Sequence, residues 1–98
     1  MDALMVALEV TFVPERAATL SATFELRLGE ERFAVETERG AIAITRGSPQ
    51  NAAAIIETDP ATLRAVVFGE RKLAGAPLEV RGDARLARAF LRLFARPG

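Results

Sequence analysis

Few residues in this chain belong to types that do chemistry. It has no histidine and no cysteine. General acid–base catalysis draws most often on imidazole, and thiol chemistry or disulfides need cysteine. Two serines, Ser21 and Ser48, could act as nucleophiles, but neither has an imidazole to activate it. Ser21 also stands where a strand is expected to begin. Carboxylates occur in two pairs, Glu30–Glu31 and Glu36–Glu38. The first pair falls in a turn. The second is spaced so that both side chains share one side of a strand. That spacing can recruit a metal ion, and it equally describes a solvated face. A zinc site would need four carboxylates, a set zinc rarely accepts. The stretch "GAPLEVRGD" matches neither the Walker pattern nor a dinucleotide fingerprint. Its "RGD", residues 81 to 83, joins a strand to a helix with Asp83 as cap, so it is given no adhesive role. The expectation is a protein that is not an enzyme, with no catalytic residue, cofactor or metal. What remains is binding, of a small molecule or of a partner.

Charge and composition narrow the ligand. Thirteen basic residues balance thirteen acidic ones, and the two are interspersed. Nucleic-acid binding wants a basic face that releases counterions, so no nucleic-acid contact is expected. Arg85, Arg88, Arg92 and Arg96 near the C-terminus are the one place where such a patch could assemble, and a solvated helix face explains them as well. Half of the 98 residues are hydrophobic, enough for the core of one domain. The six phenylalanines carry much of that core, each contributing roughly 1.5–3 kcal/mol when buried. The longest apolar run, "ALMVAL" at residues 3 to 8, is too short to span a bilayer. It also lacks the preceding basic residue of a signal peptide. Together with the absence of cysteine, this fits a cytoplasmic protein.

The elements follow from periodicity. Residues 1–21 form a lead-in. Within it "DALMVALEVTFV" fits both a strand, by alternation, and a helix, because Leu4, Leu8 and Phe12 recur every four residues. It is read as helix, with Asp2 as cap. Pro14 then opens a second short turn. Residues 22–58 read as a meander of four strands. In the first three, one face is apolar (Phe24, Leu26, Leu28; Phe33, Val35; Ile42, Ile44) and the other wet. In the fourth, adjacent Ile55 and Ile56 point to opposite faces. Residues 59–69 form a helix capped by Asp59, opened by Pro60 and closed by Gly69, with Leu63, Val66 and Val67 on one side. Phe68 falls off that side. A fifth strand covers 78–82. Residues 83–96 form the last helix, whose stripe is Leu86, Ala89, Phe90, Leu93 and Phe94, with Leu91 off the stripe and "RPG" as the stop. Strands segregated from helices give an α+β fold, a mainly antiparallel five-stranded sheet with helices on one face.

From residue 23 onward the chain resembles the sterol carrier protein 2 family. "TFELRLGEERFAVETERGAIAITRG" is similar to that family's first three strands. "AAAIIETDPATLRAVVFG" is similar to its strand–Asp–helix–Gly segment, and "APLEVRGDARLARAFLRLF" to its closing strand, Gly-Asp turn and helix. The opening "ALEVTFVPERAATLSATFELRLG" resembles the start of the sterol-carrier-like domain at the C-terminus of winged-helix regulators of the HxlR type. Phe12, Pro14, Ala17, Ala18 and Leu20 carry that match. No helix-turn-helix is present in these residues. The chain departs from the family between the second helix and the fifth strand, where only "ERKLAGAP" stands in place of a longer helical segment.

The resemblance implies non-enzymatic binding of an apolar molecule, a fatty acyl chain or a sterol-like compound, in a cavity between sheet and helices. It also implies a setting as the effector-sensing domain of a transcriptional regulator. The shortened 70–77 interval implies a small cavity, one open to solvent, or one completed by a partner. The expected lining is Leu63, Val67, Phe68, Leu78, Leu86, Phe90, Leu91 and Phe94. The competing expectation is a homodimer or partner-docking module, in which these residues pack in a core or an interface.

Overall fold

The structure, a computed structural model, describes residues 3–95. Three expectations, Asp2 as a cap, Arg96 and the closing "RPG", lie outside the described residues.

The first segment is a helix, α1 (Ala3–Thr11), which buries Leu4, Met5 and Leu8. The four-residue recurrence therefore wins over the alternation. A 3-10 turn over Pro14–Ala17 follows, with Pro14 at its first position. Five strands and two helices complete the fold: β1 (Ala22–Leu28), β2 (Glu31–Glu38), β3 (Ala41–Arg46), β4 (Ala54–Thr58), α2 (Pro60–Val67), β5 (Glu79–Gly82) and α3 (Ala84–Leu91).

The sheet runs β3-β2-β1-β4-β5. β1, β2 and β3 pair antiparallel as a meander, but β4 does not continue it. β4 lies beside β1 and parallel to it, with Leu26 opposite Ile56, and β5 then pairs antiparallel with β4. The expected four-strand meander is corrected to three strands plus a crossover. Residues 47–53 make that crossover. Gly47 N–H donates to the Arg32 carbonyl at 2.8 Å, and Ala53 N–H donates to the Thr23 carbonyl at 2.7 Å. The reason lies in Ala54 and Ile56, which are fully buried. A strand on the β3 edge would bury them less well than one set in the middle of the sheet.

Register fixes the two faces. Phe24 pairs with Val35 and Val35 with Ile44, while Leu26 pairs with Phe33 and with Ile56. These residues form one buried face, and the helices cover it. Phe24 and Phe90 stand in ring contact, and the Phe90 and Phe94 rings meet edge-on at 5.4 Å. The other face carries Thr23, Glu25, Arg27, Glu36 and Glu57 in the same alternation. Glu25 is buried even there, because Arg27 ion-pairs with it.

α3 ends five residues earlier than expected. Arg92 leaves helical geometry at φ −100°, ψ 5°. Phe94 forms a bridge to Phe12, Val13 N–H donates to the Leu93 carbonyl, and Ala95 N–H donates to the Thr11 carbonyl. The apolar period of Leu93 and Phe94 thus continues beyond the helix, but those residues pair with the chain beyond α1.

Candidate functional site

Both α2 and α3 start at an aspartate cap. Asp59 caps α2, accepting hydrogen bonds from Thr62 N–H at 2.8 Å and from the Thr62 hydroxyl at 2.7 Å. The Thr62 hydroxyl and then its backbone N–H hold the Asp59 carboxyl below its usual value. Asp83 caps α3, accepting from the N–H groups of Arg85 and Leu86. In the "RGD" triplet, Gly82 takes φ +86° and Arg81 faces Glu57 at 3.8 Å, so all three residues serve the strand-to-helix joint.

Between β5, the connection from α2 and the flank of α3 runs a groove of about 220 Å³. Leu73, Leu78, Val80, Ala84, Ala87 and Leu91 line it, with Arg88 as its charged member. Ala84, Ala87, Arg88 and Leu91 lie three and four residues apart and therefore share one flank of α3. Val80 is on the sheet's core face, since it pairs with Ile56.

Of the eight residues expected to line a cavity, Leu78 and Leu91 lie in this groove. Leu63, Val67, Phe68, Phe90 and Phe94 are buried in one continuous core, and Leu86 packs against it half-buried. The space between the sheet and the helices, where the cavity was expected, is occupied by Phe24, Phe90, Leu26 and Leu63, all fully buried. The groove sits at the edge of that layer. Phe68 does not point off its helix into a cleft. It is the C-cap of α2, at φ −95°, ψ 13°, so the helical period no longer sets its direction, and it turns into the core at 4% exposure.

Sequence reasoning missed Leu73, Val80, Ala84, Ala87 and Arg88. Leu73 carries a usable signal as a lone large apolar residue in a loop rich in breakers. Val80 is the inward position of β5. Ala84 and Ala87 give no signal, because alanine suits any helix face.

The candidate catalytic types stay apart. Ser21 and Ser48 are both exposed, in neighbouring depressions that share Thr23 and Glu36. Glu36 and Glu38 are exposed on β2. Among the described residues, no group of three or more metal-ligating side chains forms, and no helix is long and apolar enough to cross a membrane.

No family model matches the chain, and no match to a curated protein is found. Solved structures do match. The whole chain superposes on part of the stereoselective inverting sec-alkylsulfatase Pisa1 from Pseudomonas sp., with a TM-score of 0.87 at 16% identity, and it spans 17% of that enzyme's length. Sterol Carrier Protein 2 Like 2 from Aedes aegypti matches 93% of this chain over 93% of its own, with a TM-score of 0.72 at 15% identity. A sterol carrier protein 2 matches 93% of this chain over 83% of its own, with a TM-score of 0.62 at 19% identity. At these identities the likeness is one of architecture: this chain is an α+β domain with the sterol carrier protein 2 fold.

Proposed function

We propose that this domain binds the hydrocarbon part of a small amphiphile in the groove between β5 and α3. The observation that carries the reading is the lining, which is six apolar residues and a single guanidinium. Ligand sites are concave and mainly apolar, with few polar groups. Sites for drug-sized ligands span about 300–1,000 Å³, so a groove of about 220 Å³ suits a fatty acyl segment better than a fused-ring sterol. The fold shared with sterol carriers supports the same ligand class.

Two settings fit this binding. In one, the domain senses an apolar effector for a transcriptional regulator, as the resemblance of residues 7–29 implies. In the other, favoured by the likeness to one portion of a sec-alkylsulfatase, it holds an alkyl tail beside a separate catalytic domain.

A fluorescent fatty acid tests the reading. It should bind the monodisperse protein saturably at micromolar concentration and be displaced by oleate. Ala84→Trp should abolish binding, because Ala84 is exposed and lines the groove, and should leave the unfolding midpoint within about 0.5 kcal/mol of the parent. Absence of saturable binding to the parent protein overturns the proposal.

A second reading, a docking or dimerisation module, has its own observation. Val6 and Val10 on α1 are 46% and 78% exposed. Sedimentation velocity separates the two: a tight dimer that binds no fatty acid favours docking.

A further inference from the structure

We infer that the outer face of α3 docks on an anionic lipid surface, and that the groove meets its ligand there. The inference rests on the apolar-groove reading for its second half only.

The basic face is built from two parts of the chain. Arg85 and Arg88 lie on the solvent side of α3, one turn apart, and Arg92 caps the helix a further turn on. At about 100° per residue, Arg85 and Arg88 leave the helix roughly 60° apart. Arg16, from the 3-10 turn, joins them. Its guanidinium donates to the carbonyls of Arg92 at 3.2 Å and Phe94 at 3.1 Å. Arg16, Ala89 and Arg92 then line a broad depression of about 620 Å³ on the flank of α3 opposite the groove. Arg88 lies in the groove itself. One helix therefore presents guanidinium groups between two concavities.

Counter-charge is sparse on this side. No acidic residue occurs from 84 to 95. Asp83 is the acidic residue at the start of the helix, where its Oδ1 accepts from the backbone N–H groups of Arg85 and Leu86. Glu15, beside Arg16 in sequence, makes no ion pair with it. Among the described residues, none of the four arginines forms a salt bridge, as is also true of Arg32, Arg39, Arg64, Arg71 and Lys72. A chain of zero formal charge thus carries a one-sided excess of positive charge. The negative surface potential of an anionic leaflet attracts such clusters, and the attraction fades within a Debye length. A bilayer also holds the acyl chains that the groove would take, which favours lipid over an acidic protein as the occupant.

Flotation with vesicles tests this. The parent protein should float with vesicles of equal parts phosphatidylserine and phosphatidylcholine, not with phosphatidylcholine alone, and should release at high salt. Arg85→Glu/Arg92→Glu should lower vesicle affinity at least about 25-fold, since each guanidinium near such a surface contributes roughly fivefold. Arg85→Lys/Arg92→Lys should keep it, which separates charge from fold. Neither pair lines the groove, so fatty-acid binding should be unchanged in both. Failure of the parent to float with anionic vesicles, or full binding by the double reversal, overturns the inference. Vesicle binding without fatty-acid binding leaves the docking face standing and removes the groove reading. Binding to an acidic protein, with no flotation, assigns the face to a protein partner instead.

Discussion

The ring of Phe90 in α3 stands 4.9 Å from the ring of Phe24 in β1, centroid to centroid, at an interplanar angle of 33°. This contact closes the middle of the domain. Both rings are fully buried, and Phe94 packs edge-on against Phe90. Helix and sheet are therefore joined by aromatic side chains, and the groove stands at the β5 edge of that layer.

Phe90→Ala should cost about 3–5 kcal/mol of stability, the transfer term plus the void left behind. Since domains of this size are stable by only about 5–15 kcal/mol, the variant should unfold at a much lower denaturant midpoint. Chemical denaturation followed by circular dichroism measures it. A loss below 1 kcal/mol would mean that the contact between the rings is not holding α3 to the sheet.

Acid should weaken the α2 cap. The folded-state pKa of Asp59 lies below its usual value, chiefly through the Thr62 hydroxyl and then the Thr62 N–H. A depressed carboxyl pKa stabilises the fold above the unfolded value, and that contribution is lost as pH falls through the folded one. Asp59→Asn keeps a good capping residue but does not titrate. Melting temperatures measured from neutrality down to about pH 3 should therefore fall less steeply in Asp59→Asn than in the parent, since the parent alone loses this carboxylate. Parallel curves would contradict the assignment.

Gly82→Ala should damage the β4–β5 joint. Gly82 has φ +86°, and a Cβ there would meet the Ala53 carbonyl oxygen at 2.6 Å. Forcing an L-residue into that region costs about 1–3 kcal/mol before the clash is counted. β5 supplies Val80 to the groove, so fatty-acid binding should fall together with stability. Hydrogen exchange at β5 amides would locate the loss.

Much of this architecture was legible in the residues. The alternations of Phe24-Leu26-Leu28 and Phe33-Val35 named the buried face of the sheet. Asp59, Pro60 and Gly69 bracketed α2 to within two residues, because each works locally. What failed was non-local. Nothing in Ile55 and Ile56 says that their strand joins β1 and not β3, since strand order depends on which neighbour buries the larger area. Leu93 and Phe94 continue a helical period, yet their fate was decided by Phe12, more than eighty positions away. Two of the seven groove residues were visible. Leu91 was legible as a large apolar residue off its helix stripe and Leu78 as the apolar start of the fifth strand, whereas Arg88 read as an ordinary solvated charge. Its place in the groove follows only from the docking of α3 against β5.

The pairing of residues 11–13 with 93–95 has a consequence for how the protein is made. A ribosome releases α1 about eighty residues before the segment that fastens it. During that interval Leu4, Met5 and Leu8 belong to a nascent chain whose fastening segment has not yet emerged, the kind of exposed greasy surface that chaperones attend to. Residues 93–95 must leave the ribosome before α1 is locked.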